Sequence, residues 1–296
     1  MIADLARILL DVVTPVAVCA GIGFIWAKMK QPFDSVMVTR LVSNVGVPSL
    51  VFATLVKMEL GGGLFLEMAL AAFVTSVFFF VIGWAALKIT GLSIRTYLNP
   101  VAFANTGNMG LPLCLLAFGE DGLALGIAYF VVNVVLLLTV GIAVASNQYN
   151  LFDVVKRPFI YAVLAASIFH FTDVEVPNAL LSTTTLLGNF SIPLMLITLG
   201  VSLATLQIVS IKRAAFISFL RLGIGIPVGF ASAAMFGFTG AAHGTLVLMC
   251  SMPVAVITFL FAENYGADGR AVAGAVIIST LASFAIMPVL LWFLMG

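Results

Sequence analysis

Long apolar runs separated by short polar interruptions make up almost the whole chain. A bilayer is crossed by about 20 apolar residues in a helix. Breaks in hydropathy mark ten such segments, near 6–27, 36–56, 64–87, 98–118, 122–146, 158–171, 179–205, 214–238, 244–262 and 271–295. The sixth is short, and only the links at 147–157 and 172–178 hold more than a few polar residues. The pattern predicts an all-α membrane protein of ten transmembrane helices with no soluble domain.

The prolines inside these runs recur. Pro15, Pro48 and Pro112 are followed by Pro158, Pro193 and Pro253, at offsets of 143, 145 and 141 residues. The second pair brings its context, since Leu41-Val-Ser-Asn44-Val-Gly-Val-Pro48 aligns with Leu186-Leu-Gly-Asn189-Phe-Ser-Ile-Pro193. Two five-helix units are expected, 1–150 and 151–296. Because five is odd, the second enters the membrane from the opposite side, which makes the repeat inverted. Inverted repeats with interrupted helices at matched places are a signature of secondary transporters, whose two halves exchange roles as the protein opens to either side.

Composition sets the environment and orientation. The 296 residues are 62% hydrophobic and 8% charged, with a mean hydropathy of +1.23, whereas soluble domains are about one quarter charged. The expected partner is the lipid bilayer. A net charge of +1 without a basic stripe argues against nucleic acid. Lys28, Lys30, Arg40, Lys88, Arg95, Lys156, Arg157, Lys212, Arg213 and Arg270 fall on one side, against Arg7 and Lys57 on the other. By the positive-inside rule both termini face outward from the plasma membrane, the inner membrane of a bacterium. Segment one, whose Asp11 is within helical reach of Arg7, is expected to be a retained first span. Cys19, Cys114 and Cys250 lie in apolar runs without metal-ligand spacing, and no disulfide is expected.

Chemistry is expected where helices break. Segment four reads Asn105-Thr106-Gly107-Asn108-Met109-Gly110-Leu-Pro112, so that Gly107, Gly110 and Pro112 interrupt it at mid-span. Unwound backbone is tolerated there only against protein or a polar cavity. Asn105, Thr106 and Asn108 can satisfy that backbone or a solute. Segment nine has the lesser signal Ser251-Met252-Pro253-Val254, either a break or a simple kink. If both are broken, two half-helices begin near Pro112 and Pro253 with amide N–H groups toward the midplane, which favours an anion.

Other polar positions have two readings each. Asn44 and Asn189, one turn before Pro48 and Pro193, either line the solute path or bond between helices. Asn133 in segment five serves either packing or solute. Arg221, the one deeply placed charge, is expected to snorkel or meet lipid phosphate rather than touch solute. No Asp or Glu lies deep inside a segment, so a carboxylate proton relay or cation site is not expected. His170 and His243 fall at segment ends, and no set of nucleophile, base and carboxylate suggests an enzyme.

Asn105-Thr-Gly-Asn-Met-Gly-Leu-Pro112, Met252-Pro253-x(7)-Phe261-Ala-Glu263-Asn-Tyr265 and the run from Ala273 to Pro288 together resemble the auxin efflux carrier family. That family holds the plant PIN-FORMED carriers and bacterial relatives described as malate or malonate permeases. The resemblance covers the whole chain. It implies a fold like that of the bile acid:sodium symporters, with segments four and nine crossing at mid-membrane, a scaffold from segments 1, 2, 6 and 7, and a moving transport domain from 3–5 and 8–10. It also implies a homodimer, no cofactor, and sodium as an ion that could accompany the solute. By position, Asn105 and Asn108 would hold a carboxylate, with Asn133 helping and Pro112 and Pro253 marking the crossing. The solute-binding set is then Asn105, Thr106, Asn108 and Met109, Ser251, Met252 and Val254, and Asn133. The long loop of the plant carriers between segments five and six is reduced here to about ten residues.

The expected activity is secondary transport of a small organic anion, such as malate, malonate or an auxin-like acid, by an elevator-like alternating-access motion. A sodium-coupled symporter of the bile acid type, or a membrane sensor that keeps the fold without transporting, are the alternatives.

Overall fold

The computed structural model describes residues 9–58, 62–146, 156–172 and 175–295. Arg7 and most of the 147–157 link, named above, lie outside the described residues. The described chain is helical, with one isolated pair of extended residues, Ala104 and Val254. Among the described residues, seven helices are long and apolar enough to cross a membrane, and two shorter apolar ones span Pro158–Phe169 and Gly240–Cys250. The longest of the seven, Thr106–Ser146, is not straight, because Gly119 has φ 66° and ψ −156°. Only glycine takes that backbone readily, and the exposed Glu120 and Asp121 follow it in the turn.

In chain order the α-helices are α1 (Thr14–Lys28), α2 (Ser35–Leu41), α3 (Val47–Val56), α4 (Gly62–Thr90), α5 (Ile94–Ala102), α6 (Leu111–Leu136), α7 (Ile142–Ser146), α8 (Pro158–Thr172), α9 (Asn178–Thr205), α10 (Ile211–Met235), α11 (Gly240–Cys250), α12 (Val256–Asn264) and α13 (Gly269–Met295). Short π-helical turns occupy Leu9–Val13, Val42–Gly46, Thr106–Gly110 and Leu137–Gly141. Three of them end two residues before Pro15, Pro48 and Pro112. Proline has no N–H and its ring crowds the carbonyl four residues back, so the preceding turn widens to i→i+5 bonding to pass it. Val47 N–H thus donates to Val42 O, and Leu111 N–H to Thr106 O. Pro193, Pro227 and Pro288 instead lie within continuous α-helices. The matched prolines of the two halves therefore do not have matched local geometry.

Two groups of helices pack mainly among themselves. α1 lies along α9, and α3 packs against both α8 and α9. α10 packs on α11, α13 and α4, while α4 packs on α5 and α6, and α12 on α13. The first group is held by close backbone contact. A Cβ on Gly23 would fall 2.0 Å from Ile197 O, and one on Gly200 would fall 1.8 Å from Ala20 O. Between the groups, α9 meets the turn Thr106–Gly110, and α3 meets α6.

Basic side chains bind the ends of helices, as the negative C-terminal end of the helix dipole favours. Lys28 donates to Ala204 O at 3.2 Å, and Arg95 Nε donates to Ala145 O at 2.8 Å while its Nη2 reaches Tyr265 O. The outward surfaces of α1 and α4 expose Ile22, Ile25, Leu70, Phe73, Val77 and Val81, the pattern of a lipid-facing helix.

A crossing of two broken helices as the candidate solute site

Helix α5 stops at Ala102 because Phe103 is extended (φ −104°, ψ 121°). Helix α11 stops at Cys250, and the chain becomes extended before α12, with Ala255 at φ −66° and ψ 129°. The two extended pieces run antiparallel. Asn105 N–H donates to Pro253 O at 2.8 Å, and Ala255 N–H donates to Phe103 O at 3.1 Å. Val254 N–H is taken by Ser279 Oγ of α13 at 3.1 Å. Segment nine is therefore broken outright, not kinked. Ala104, Pro253 and Val254 are all buried, and unpaired amides there would cost several kcal/mol each.

The break in segment four lies before the glycines that predicted it. Gly107 and Gly110 belong to the π turn, and Pro112 is the second residue of α6. Their role is packing: a Cβ on Gly110 would lie 2.6 Å from Met249 Sδ, and one on Gly107 would lie 3.1 Å from the Phe130 ring. Pro253, by contrast, stands in the extended piece itself and its carbonyl bonds Asn105. Proline fits there because its missing N–H is not needed.

Each crossing piece leads into the start of a helix without a side-chain cap, at Asn105 and at Ala255. The N–H groups of Gly107 and Asn108, and of Val256 and Ile257, donate to no described group. Asn105 is 5% exposed, and its Nδ2 has no partner among the described residues. Its backbone O accepts from Met109 N–H at 3.3 Å and Gly110 N–H at 3.1 Å. Asn108 is half-buried, while Thr106 and Met109 are buried in the same turn. Asn133 is buried on α6, one turn beyond Phe130, whose ring covers Gly107.

Three other expected site residues already have hydrogen bonds within the protein. Ser251 Oγ donates to Val247 O at 2.7 Å within its own helix end. The backbone of Met252 and Val254 is engaged, by Arg221 and Ser279 respectively. Asn44 and Asn189 are exposed on the Val42–Gly46 turn and α9, with Pro48 half-buried and Pro193 exposed. These helices touch where a Cβ on Gly46 would meet Ser191 Oγ at 1.9 Å.

Arg221 corrects the sequence expectation. It is 0% exposed, so it neither snorkels nor reaches lipid headgroups. Nε donates to Met252 O at 3.1 Å, Nη1 to Val101 O at 3.0 Å and Ala102 O at 3.3 Å, and Nη2 to Cys250 O at 2.8 Å. Its Cζ lies 4.0 Å from the Phe79 ring centroid, a cation–π contact. Nearby, Tyr129 OH meets Thr75 Oγ1 at 3.4 Å and Cys250 Sγ at 3.6 Å. A signal existed in the sequence, because Arg221 is the one basic residue that no loop could take. Position along one helix could not reveal carbonyls supplied by two others.

Comparison with known proteins places the chain in a family. Residues 142–293 match the family described as membrane transport protein. An uncharacterized transporter of Methanocaldococcus jannaschii is 23% identical over 96% of this chain and 97% of its own length. Another, from Methanothermobacter thermautotrophicus, is 28% identical over 88% of each. The chain is a membrane-embedded transporter rather than an enzyme, and it belongs to the membrane transport protein family of the auxin efflux carrier type.

Proposed function

We propose that the protein is a secondary carrier for a small organic anion, and that the anion binds at the crossing. The observation that carries this is the pair of uncapped helix starts, which offer free N–H groups beside the unpartnered Nδ2 of Asn105. Backbone N–H groups at helix starts favour negative charge. A carboxylate would also supply the acceptor that the buried Asn105 amide lacks. Asn105, Thr106, Asn108 and Met109 would form one wall, Val254 and the start of α12 the other, and Asn133 would close the α6 side.

The remaining features of this reading rest on the repeat, on the distribution of basic residues and, for the homodimer and the division into scaffold and moving part, on the family resemblance. Ten spans form two inverted five-helix halves, 1–150 and 151–296, with both termini outward in the plasma membrane, and the active form is a homodimer. The group around α1, α3, α8 and α9 serves as scaffold, and the crossing moves against it with α4–α7 and α10–α13. The α9 contact with the Thr106–Gly110 turn is then part of the sliding surface, with Asn44 and Asn189 along the path. This supports an elevator-like form of alternating access.

Reconstitution into proteoliposomes tests the proposal, with malate, malonate and indole-3-acetate as probes. Saturable, carboxylate-selective uptake is expected. Absence of uptake and of any carboxylate-induced rise in melting temperature would leave a membrane protein that keeps the fold without carrying these solutes. A bound ligand at 100 times its dissociation constant adds about 2.7 kcal/mol of stability, so the thermal readout is sensitive.

A further inference from the structure

Both half-helices that enter the crossing end in free carbonyls, and those carbonyls converge on one guanidinium. Val101 and Ala102 close α5, Cys250 closes α11, and Met252 lies just beyond it; all four carbonyls accept from Arg221. A helix C-terminus carries about half a negative charge, so two of them balance roughly one positive charge. Phe79 covers the guanidinium at 4.0 Å. Arg221 receives no carboxylate among its described bonds. The arrangement is that of a cation held by carbonyl oxygens, except that the cation is covalently part of α10.

We propose that Arg221 is the resident cation of the crossing. Its guanidinium neutralises the carbonyl ends of α5 and α11, which leaves the opposing helix starts to act on an anion, and solute binding then requires no mobile cation. The inference rests on the anion reading above and adds to it a reason for the sign of the solute and the expectation that no sodium ion is needed to bind it. Arg221 does not itself meet the solute, since it is fully buried and each of its three nitrogens donates to a backbone carbonyl. It is a positioning residue. Arginine suits this place better than lysine because a planar fork reaches several acceptors at fixed angles and remains charged.

The test compares wild type, Arg221→Lys and Arg221→Gly in detergent, each melted with and without malonate in sodium, potassium or choline chloride. The wild-type malonate shift is expected to be equal in all three salts. Arg221→Gly should lose the malonate shift in choline and regain it when millimolar guanidinium chloride, far below denaturing concentrations, is added. Arg221→Lys should retain only part of it. A structural role alone would not make malonate binding titratable by an added cation. A wild-type shift that appears only with sodium overturns the proposal however the variants fold, and so does Arg221→Gly binding malonate like wild type in choline. If malonate and the other carboxylates shift nothing in any salt, the anion reading fails. Arg221 is then judged on the solute-free melting of Arg221→Gly, which guanidinium must raise while leaving wild type unchanged; no such rise rejects the resident cation.

Discussion

At the scale of single residues, the candidate site holds groups whose hydrogen bonds remain to be made and groups whose bonds are complete. Asn105 belongs to the first kind, because its buried Nδ2 has no partner among the described residues. A donor left unpaired costs about 1–3 kcal/mol, so Asn105→Ala removes a liability along with some packing. We therefore predict that Asn105→Ala leaves the melting temperature of the solute-free protein little changed but weakens carboxylate binding by about 1–3 kcal/mol. Asn108→Ala should weaken binding to a similar extent. Titrated thermal shifts read both quantities in one experiment, and unchanged affinity in both variants would remove the amides from the site. The amides were legible in the sequence because two of them beside glycines at mid-span are costly without a purpose. Arg221 was misread because hydropathy measures depth along one helix, whereas its partners come from α5, α11 and the strand-like piece after it.

At the scale of elements, the sequence located both breaks to within a few residues, naming the right proline in segment nine but the wrong residues in segment four. Proline and glycine mark where a helix is irregular, and here that irregularity is a π turn at Thr106–Gly110. The extended break at Phe103–Asn105 is fixed instead by two hydrogen bonds to a segment about 150 positions away, which no local pattern encodes. Helix contacts allow a sharper test. Gly200 and Gly21 are both helical glycines, but only Gly200 touches another backbone, that of Ala20 and Phe24. Gly200→Ala should force α1 and α9 apart and cost about 1–3 kcal/mol, the usual penalty of overpacking. Gly21 has open space where a Cβ would go. Gly21→Ala should be neutral or stabilise by up to about 1 kcal/mol through helix propensity. Thermal denaturation of the purified variants separates them, and equal effects would contradict the packing of α1 on α9.

At the scale of the whole molecule, orientation rests on a distribution of charge that no single residue carries. Ten basic residues lie on one set of loops against two on the other, and translocation disfavours moving such loops outward. The helix ends on that side also hold Trp26 and Trp84, and Lys28 and Lys88 lie over the rings of Phe24 and Trp84. Aromatic rings beside lysines suit the level of lipid headgroups. The exposed residues Gln31 and Gly91 follow these ends, whereas the exposed Gly237 and Thr239 lie in the turn between α10 and α11, at the opposite ends of their helices. Single cysteines at Gly237 and Thr239, in a protein lacking Cys19, Cys114 and Cys250, should react with an impermeant thiol reagent added to intact cells. Cysteines at Gln31 and Gly91 should react only after the membrane is opened. The inverted repeat requires this result on both halves together, since Gln31 and Gly91 report the first five segments and Gly237 and Thr239 the second. Labelling from outside at all four positions, or at Gln31 and Gly91 alone, would reject the orientation and with it the opposed entry of the two halves on which alternating access depends.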